Sequence, residues 1–215
     1  GNLHLITLIW GVLPAFLWLL YFYRQDKLPE PPKLVLKTFL FGAISVVPAA
    51  LIERRFVGNL GPQSSLGTIF LLTFGVIATA EEFSKFAAIR LGVGKTEAID
   101  SDVDGVVYGV SAGLGFAMLE NILYINSFGI NVAPVRAVFS NLAHALFTGL
   151  LGCYYAHSLL WDRPIEVYKG LFWAIFLHGL YDFILISGIM SPYWSVLLLV
   201  SVFEVIRRVF HRQRL

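Results

Sequence analysis

Leu66-Gly67-Thr68-Ile69-Phe70-Leu71-Leu72-Thr73-Phe74-Gly75-Val76-Ile77-Ala78-Thr79-Ala80-Glu81-Glu82-Phe83-Ser84-Lys85-Phe86-Ala87-Ala88-Ile89-Arg90 is long and apolar enough to cross a bilayer, yet it carries two glutamates and a lysine beyond its midpoint. A spanning helix needs about 20 mostly apolar residues. Each ionised side chain inside one costs about 2.5–3.5 kcal/mol on insertion scales. A helix with three such groups has to turn them toward a polar interior shared with other helices. Working outward, Glu120, His144, His178 and Asp182 occupy apolar runs of their own. The stretch therefore predicts a membrane helix bundle built around buried ionisable groups.

Composition agrees. Of the 215 residues, 57% are hydrophobic and only 14% charged, which places the chain in the membrane class and outside soluble averages. A formal net charge of +2 is too small to indicate a nucleic-acid partner. Cys153 is the only cysteine, which excludes an internal disulfide and any site needing two thiolates. Residues 1–23 lack a basic flank and a small-residue cleavage pattern, so they are expected to form a first span that is not removed, with Gly1 left by processing.

The hydropathy pattern predicts seven spans, at roughly 3–23, 34–52, 66–90, 104–127, 135–160, 169–189 and 191–208, separated by loops rich in Gly, Pro and polar residues. None of these loops has the length of a soluble domain. The chain reads as a single all-α transmembrane domain over 1–215, with a catalytic core at about 66–190. Arg24, Lys27, Lys33, Lys37, Arg90, Lys95, Arg163, Lys169, Arg207, Arg208, Arg212 and Arg214 fall on one side of this arrangement. Arg54, Arg55 and Arg136 fall on the other. Because positive residues are retained in the cytoplasm, the C-terminus is expected there and the N-terminus outside.

Three near-motifs dissolve on inspection. Gly92-Val93-Gly94-Lys95-Thr96 resembles the end of a P-loop, but Ile89 stands where the first glycine is required. Gly109-Val110-Ser111-Ala112-Gly113 spells a nucleophile elbow in the middle of an apolar helix, where no strand-to-helix turn is available. Gly105, Gly109 and Gly113 recur every four residues and predict close approach of a neighbouring helix. Tyr181-Asp182 with Gly113-Leu114-Gly115-Phe116 approaches the presenilin-type aspartyl signature, with Phe116 in place of the second aspartate.

What survives is a constellation. Residues three and four apart share a helix face, so Glu81 and Glu82 both reach Lys85, and His178 reaches Asp182. The 100° step between Glu81 and Glu82 lets one face a cavity and the other a neighbouring helix. Glu120 has Asn121 beside it, and His144 has Thr148 one turn on. A carboxylate and an imidazole in a water-poor site suit general-base chemistry. Two histidines with a carboxylate also make a catalytic zinc composition, for which Glu120, His144 and His178 are the candidate ligands. No His-Glu-x-x-His is present. Each group has a plainer role open to it: Lys85 as counter-charge, Glu120 as polar glue between helices, His144 as a hydrogen-bonded core residue.

Glu81-Glu82-Phe83-Ser84-Lys85, Asp104-Gly105 leading to Gly113-Leu114-Gly115-Phe116-Ala117-Met118-Leu119-Glu120-Asn121 and Tyr124, His144, and His178-Gly179-Leu180-Tyr181-Asp182 together resemble the PrsW family of intramembrane proteases. That family is grouped with CAAX endopeptidases and bacteriocin-immunity-like proteins. The resemblance covers about residues 78–185 and implies peptide-bond hydrolysis at the bilayer, with site-1 cleavage of single-span, anti-sigma-factor-like substrates in a prokaryotic plasma membrane. It implies catalytic roles for Glu81, Glu82, Glu120, His144, His178 and Asp182, supported by Lys85 and Asn121. Glu120 stands where CAAX endopeptidases place a histidine, and Asp182 where they place an asparagine. An ionised aspartate cannot donate to an oxyanion, so Asp182 is expected to orient His178. A proton-coupled transporter would line a cavity with the same residue types, but repeats and interrupted half-helices are lacking in the sequence. A non-catalytic immunity-like scaffold would keep the polar core for packing alone.

Overall fold

The computed structural model describes residues 2–58, 60–61, 63–94 and 97–213. Lys95 and Thr96 of the near P-loop, and Arg214 of the C-terminal basic cluster, lie outside the described residues. The described residues form helices and connecting turns, with no strand among them. We number the long helical runs α1 (Asn2–Tyr23), α2 (Pro32–Phe56), α3 (Leu66–Val93), α4 (Asp102–Phe128), α5 (Ile130–Leu160), α6 (Ile165–Ser187) and α7 (Tyr193–Arg212). The first six are long and apolar enough to cross a membrane. α7 occupies the place of the seventh expected span, but Glu204, Arg207 and Arg208 interrupt its apolar character.

Local chemistry sets the ends. Pro32 starts α2, where its fixed φ fits the first turn and its missing N–H costs nothing. Pro48 cannot donate to the carbonyl four residues back, and the helix breaks locally at Ser45, whose hydroxyl donates to Gly42 O at 2.7 Å. Ser65 caps α3 by accepting from Thr68 N at 3.1 Å. Ser101 and Asp104 form a reciprocal capping box at the start of α4.

α4 is the central post, buried without a break from Val103 to Ala117. The predicted glycine face is what permits this. A Cβ added at Gly105 would lie 2.2 Å from Gly152 O, at Gly109 2.3 Å from Thr148 O, and at Gly113 2.3 Å from His144 O. Any side chain there would push α5 away, so the small residues bring the two backbones into contact. Ser111, inside this face, donates to Val35 O at 2.6 Å and is a packing residue. Around the post, Leu5, Ile9, Leu13 and Leu17 of α1 stay exposed, as lipid-facing residues should.

Among the described residues two helices contain π turns, and both carry candidate site residues. α3 loosens into a π turn at Thr73–Ala78, just before Glu81 and Glu82. α5 does the same at Arg136–Ser140, just before Asn141 and His144. Such turns recur at functional sites because they redirect the side chains that follow.

Candidate active site

Lys85 is the electrostatic centre. It is fully buried, and its ammonium donates to Glu81 Oε2 at 2.9 Å and to Glu82 Oε1 at 2.9 Å. Its third contact is His144 Nδ1 at 2.8 Å. An ammonium has three donors and no acceptor, so His144 Nδ1 accepts and the ring proton belongs on Nε2. That nitrogen faces Glu120 Oε2 at 3.1 Å. The lysine thereby fixes both the tautomer and the ring orientation of His144. Its charge also lies over the face of Phe116, 4.2 Å from the ring centroid.

The adjacent glutamates part company as the 100° step suggests. Glu82 is sealed away, with Oε1 bonded to Lys85 and to His178 Nδ1 at 2.8 Å, and Oε2 accepting from Thr148 Oγ1 at 3.0 Å. Glu81 instead reaches a cavity of about 340 Å3 together with Glu120, His144, His178 and Asp182. Glu81 Oε2 lies 3.8 Å from His144 Nδ1 and 3.7 Å from His178 Nε2. His178 Nε2 also faces Asp182 Oδ2 at 3.4 Å. Because Glu82 holds the other ring nitrogen, Nε2 is the nitrogen His178 presents to the cavity.

All six candidate acids and imidazoles, with Lys85, thus meet at one site. The potential metal ligands group differently from the sequence expectation. One ligand atom each from Glu81, His144 and His178 lies within 4.8 Å of the others. Glu120 lies outside that trio and is paired with Arg136 and His144. Two histidines and a carboxylate beside a cavity fit a catalytic zinc in composition. In the structure the cation engaging Glu81 and His144 is the Lys85 ammonium.

Sequence reasoning missed two cavity residues. Arg136 bonds Glu120 through Nη2, donates from Nε to Asn121 Oδ1 at 2.7 Å, and stacks over Tyr124 at 3.6 Å from the ring centroid. Asn121 in turn donates to Asn141 Oδ1 at 3.2 Å. This network sets the position of Glu120. Glu53 lines the cavity from α2, which runs to Phe56 instead of stopping near residue 52. In sequence Glu53 stands beside Arg54 and Arg55, just past the expected end of the span, where charges ordinarily mark topology.

A bundle of membrane-spanning helices enclosing a convergent Glu/His/Asp site defines an integral membrane protein with the furnishings of an intramembrane hydrolase. The chain belongs to the PrsW family: residues 30–206 match the family model described as PrsW family intramembrane metalloprotease. It is similar to proteins named Protease PrsW from Oceanobacillus iheyensis (32% identity, covering 92% of this chain and 93% of that one) and Geobacillus kaustophilus (34%, covering 89% and 84%). A third from Bacillus subtilis is 35% identical, covering 81% of this chain and 80% of its own. No solved structure matches. The protein is an intramembrane protease by this membership.

Proposed function

We propose that the protein hydrolyses a peptide bond of a single-span, membrane-anchored substrate of the anti-sigma-factor type, at the site-1 step, using water activated by Glu81. The observation that carries this reading is the division of labour within the acidic pair. Glu82 is saturated by three donors and holds Lys85 and His178 in place, while Glu81 presents a carboxylate to the cavity beside two imidazoles. In the proposed reaction water adds to the scissile carbonyl carbon as Glu81 takes its proton, and that proton is then delivered to the leaving amine. His178 Nε2, protonated, is positioned to donate to the developing carbonyl oxyanion, with Asp182 orienting the ring. Lys85 acts as a positioning residue through Glu81 and His144. Arg136 does the same through Glu120.

Glu81, His144 and His178 are the residues that would hold a zinc ion, which when bound supplies Lewis-acid activation of water. The cavity also receives Glu53 and Arg136, from the ends of α2 and α5 that the positive-inside rule assigns to the outer face. That placement supports cleavage near the outer surface.

The test is cleavage of a single-span substrate by purified protein in liposomes. Glu81→Gln keeps size and hydrogen bonding but removes the base, so the rate should fall by roughly 100-fold or more in a folded protein. Wild-type turnover by Glu81→Gln would overturn the glutamate-centred reading. Full activity after chelator treatment favours water activated by Glu81 without a metal, and loss restored by zinc favours the metal-assisted form.

A further inference from the structure

At the opposite end of α4 from the cavity lies a second cluster that the proteolytic reading does not use. Asp26 and Glu30 of the first loop and Asp104 at the start of α4 are buried, and one oxygen from each lies within 4.8 Å of the others. From Asp104 to Glu120 is 16 residues of continuous helix, about 24 Å at 1.5 Å per residue. The two clusters are therefore separate sites.

The hydrogen bonds made by the three carboxylates leave a charge imbalance. Asp104 accepts from Asp100 N at 2.7 Å, Ser101 N at 2.8 Å and Ser101 Oγ at 2.5 Å. Glu30 accepts from Tyr108 Oη through Oε2. Asp26 Oδ1 accepts from Leu28 N at 2.9 Å and Gln213 Nε2 at 2.8 Å. Its other oxygen, Oδ2, is buried and has no hydrogen-bond partner. Every donor is neutral, and among the described residues no Lys, Arg or His forms an ion pair with any of the three.

Three buried carboxylates with an orphaned oxygen and no counter-charge form a trap for a cation. We propose that Asp26, Glu30 and Asp104 bind a hard divalent cation, Mg2+ or Ca2+, which ties the first loop to α4. The all-oxygen donor set selects such ions over zinc, and oxygens bound at 2.3–2.6 Å from a common ion lie at most about 5 Å apart. Gln213 bonds Asp26 as well, and Lys27 donates from N to Gln213 Oε1 at 3.0 Å, so the bound ion also steadies the end of α7. This site is structural and does not rest on the catalytic assignment.

The experiment uses the full chain in detergent after EDTA dialysis, in wild type and in Glu81→Gln, which disables the other candidate metal group. Millimolar Mg2+ or Ca2+ should raise the melting temperature of both by at least about 2 °C, and the larger shift identifies the preferred ion. Asp26→Asn and Glu30→Gln should abolish the shift, and zinc should not reproduce it in Glu81→Gln. Should those variants fold poorly, Mn2+ electron paramagnetic resonance on Glu81→Gln still decides: one bound Mn2+ per chain, displaced by Mg2+ or Ca2+, is expected. No bound Mn2+, a thermal shift that survives in Asp26→Asn and Glu30→Gln, or stabilisation by acidification with no response to either cation would overturn the proposal. The last result would mean that a shared proton fills the site.

Discussion

Replacing Lys85 with methionine tests the centre of the arrangement, since the change keeps an unbranched side chain one heavy atom shorter and removes its charge. Lys85 Nζ lies 2.9 Å from an oxygen of each glutamate. At an effective dielectric of 20 each contact is worth about 6 kcal/mol of gross Coulomb attraction, most of which offsets the cost of burying the charges. Removing one partner of a buried pair leaves that cost uncompensated, typically about 3–5 kcal/mol. Here two carboxylates are stranded, and His144 loses the donor that fixes its tautomer. At about 2–4 °C per kcal/mol for a chain of this size, Lys85→Met should lower the melting temperature by about 6–20 °C. Unfolding of the detergent-solubilised protein, followed by intrinsic tryptophan fluorescence, measures this. Adding Glu82→Gln to Lys85→Met should recover a large part of the loss, because one stranded charge is gone. A Lys85→Met protein as stable as wild type, or a double variant less stable than the single, would refute the counter-charge argument.

Three further outcomes follow. Ser111→Ala should leave substrate cleavage unchanged while costing about 1 kcal/mol in thermal unfolding, because it deletes only the bond to Val35 O. Gly109→Val should destabilise by about 3 kcal/mol, the upper range for overpacking, since even its Cβ meets Thr148 O at 2.3 Å; the same melting assay reads it. Reporter fusions after Arg163 and at the C-terminus should both report cytoplasm, and opposite signals would break the seven-helix topology.

Most of the bundle was legible because hydrocarbon leaves few choices. A run of about 20 apolar residues is a helix, and an ionisable group within it has to face inward. That reasoning picks out Glu81, Glu120, His144, His178 and Asp182 from the sequence. The four-residue glycine spacing likewise foretold the α4–α5 contact. Arg136 and Glu53 escaped for one shared reason. They lie in the first or last turns of spans, where a charge is ordinarily a solvated topology marker and hydropathy carries no information about direction. The regrouping of potential metal ligands, with Glu81 joining the histidines in place of Glu120, was unreadable for a different reason. It depends on which carboxylate the packed helices bring close to both imidazoles, while Glu120 pairs with Arg136, 16 residues away in sequence, and no local pattern encodes that.

The π turn in α3 shows how the acidic pair acquires its two roles. Upstream, the buried stripe runs from Ile69 to Thr73, a helical step of four. The next fully buried position is Ala78, a step of five, and from there the stripe resumes through Glu82, Lys85, Ile89 and Gly92 in steps of four and three. Carried on at ordinary helical spacing from Thr73, the stripe would reach 76 or 77 and then 80 or 81, bringing Glu81 onto the packed centre in place of Glu82. The extra residue in the turn moves the centre of the stripe to Glu82, which can then be saturated by Lys85, Thr148 and His178. Glu81 is left at the edge of the stripe, buried enough to be poorly hydrated and close enough to the cavity to meet water. The local departure from regular helix thus separates a fully paired, anchoring carboxylate from one that reaches the cavity, in two adjacent residues of the same type.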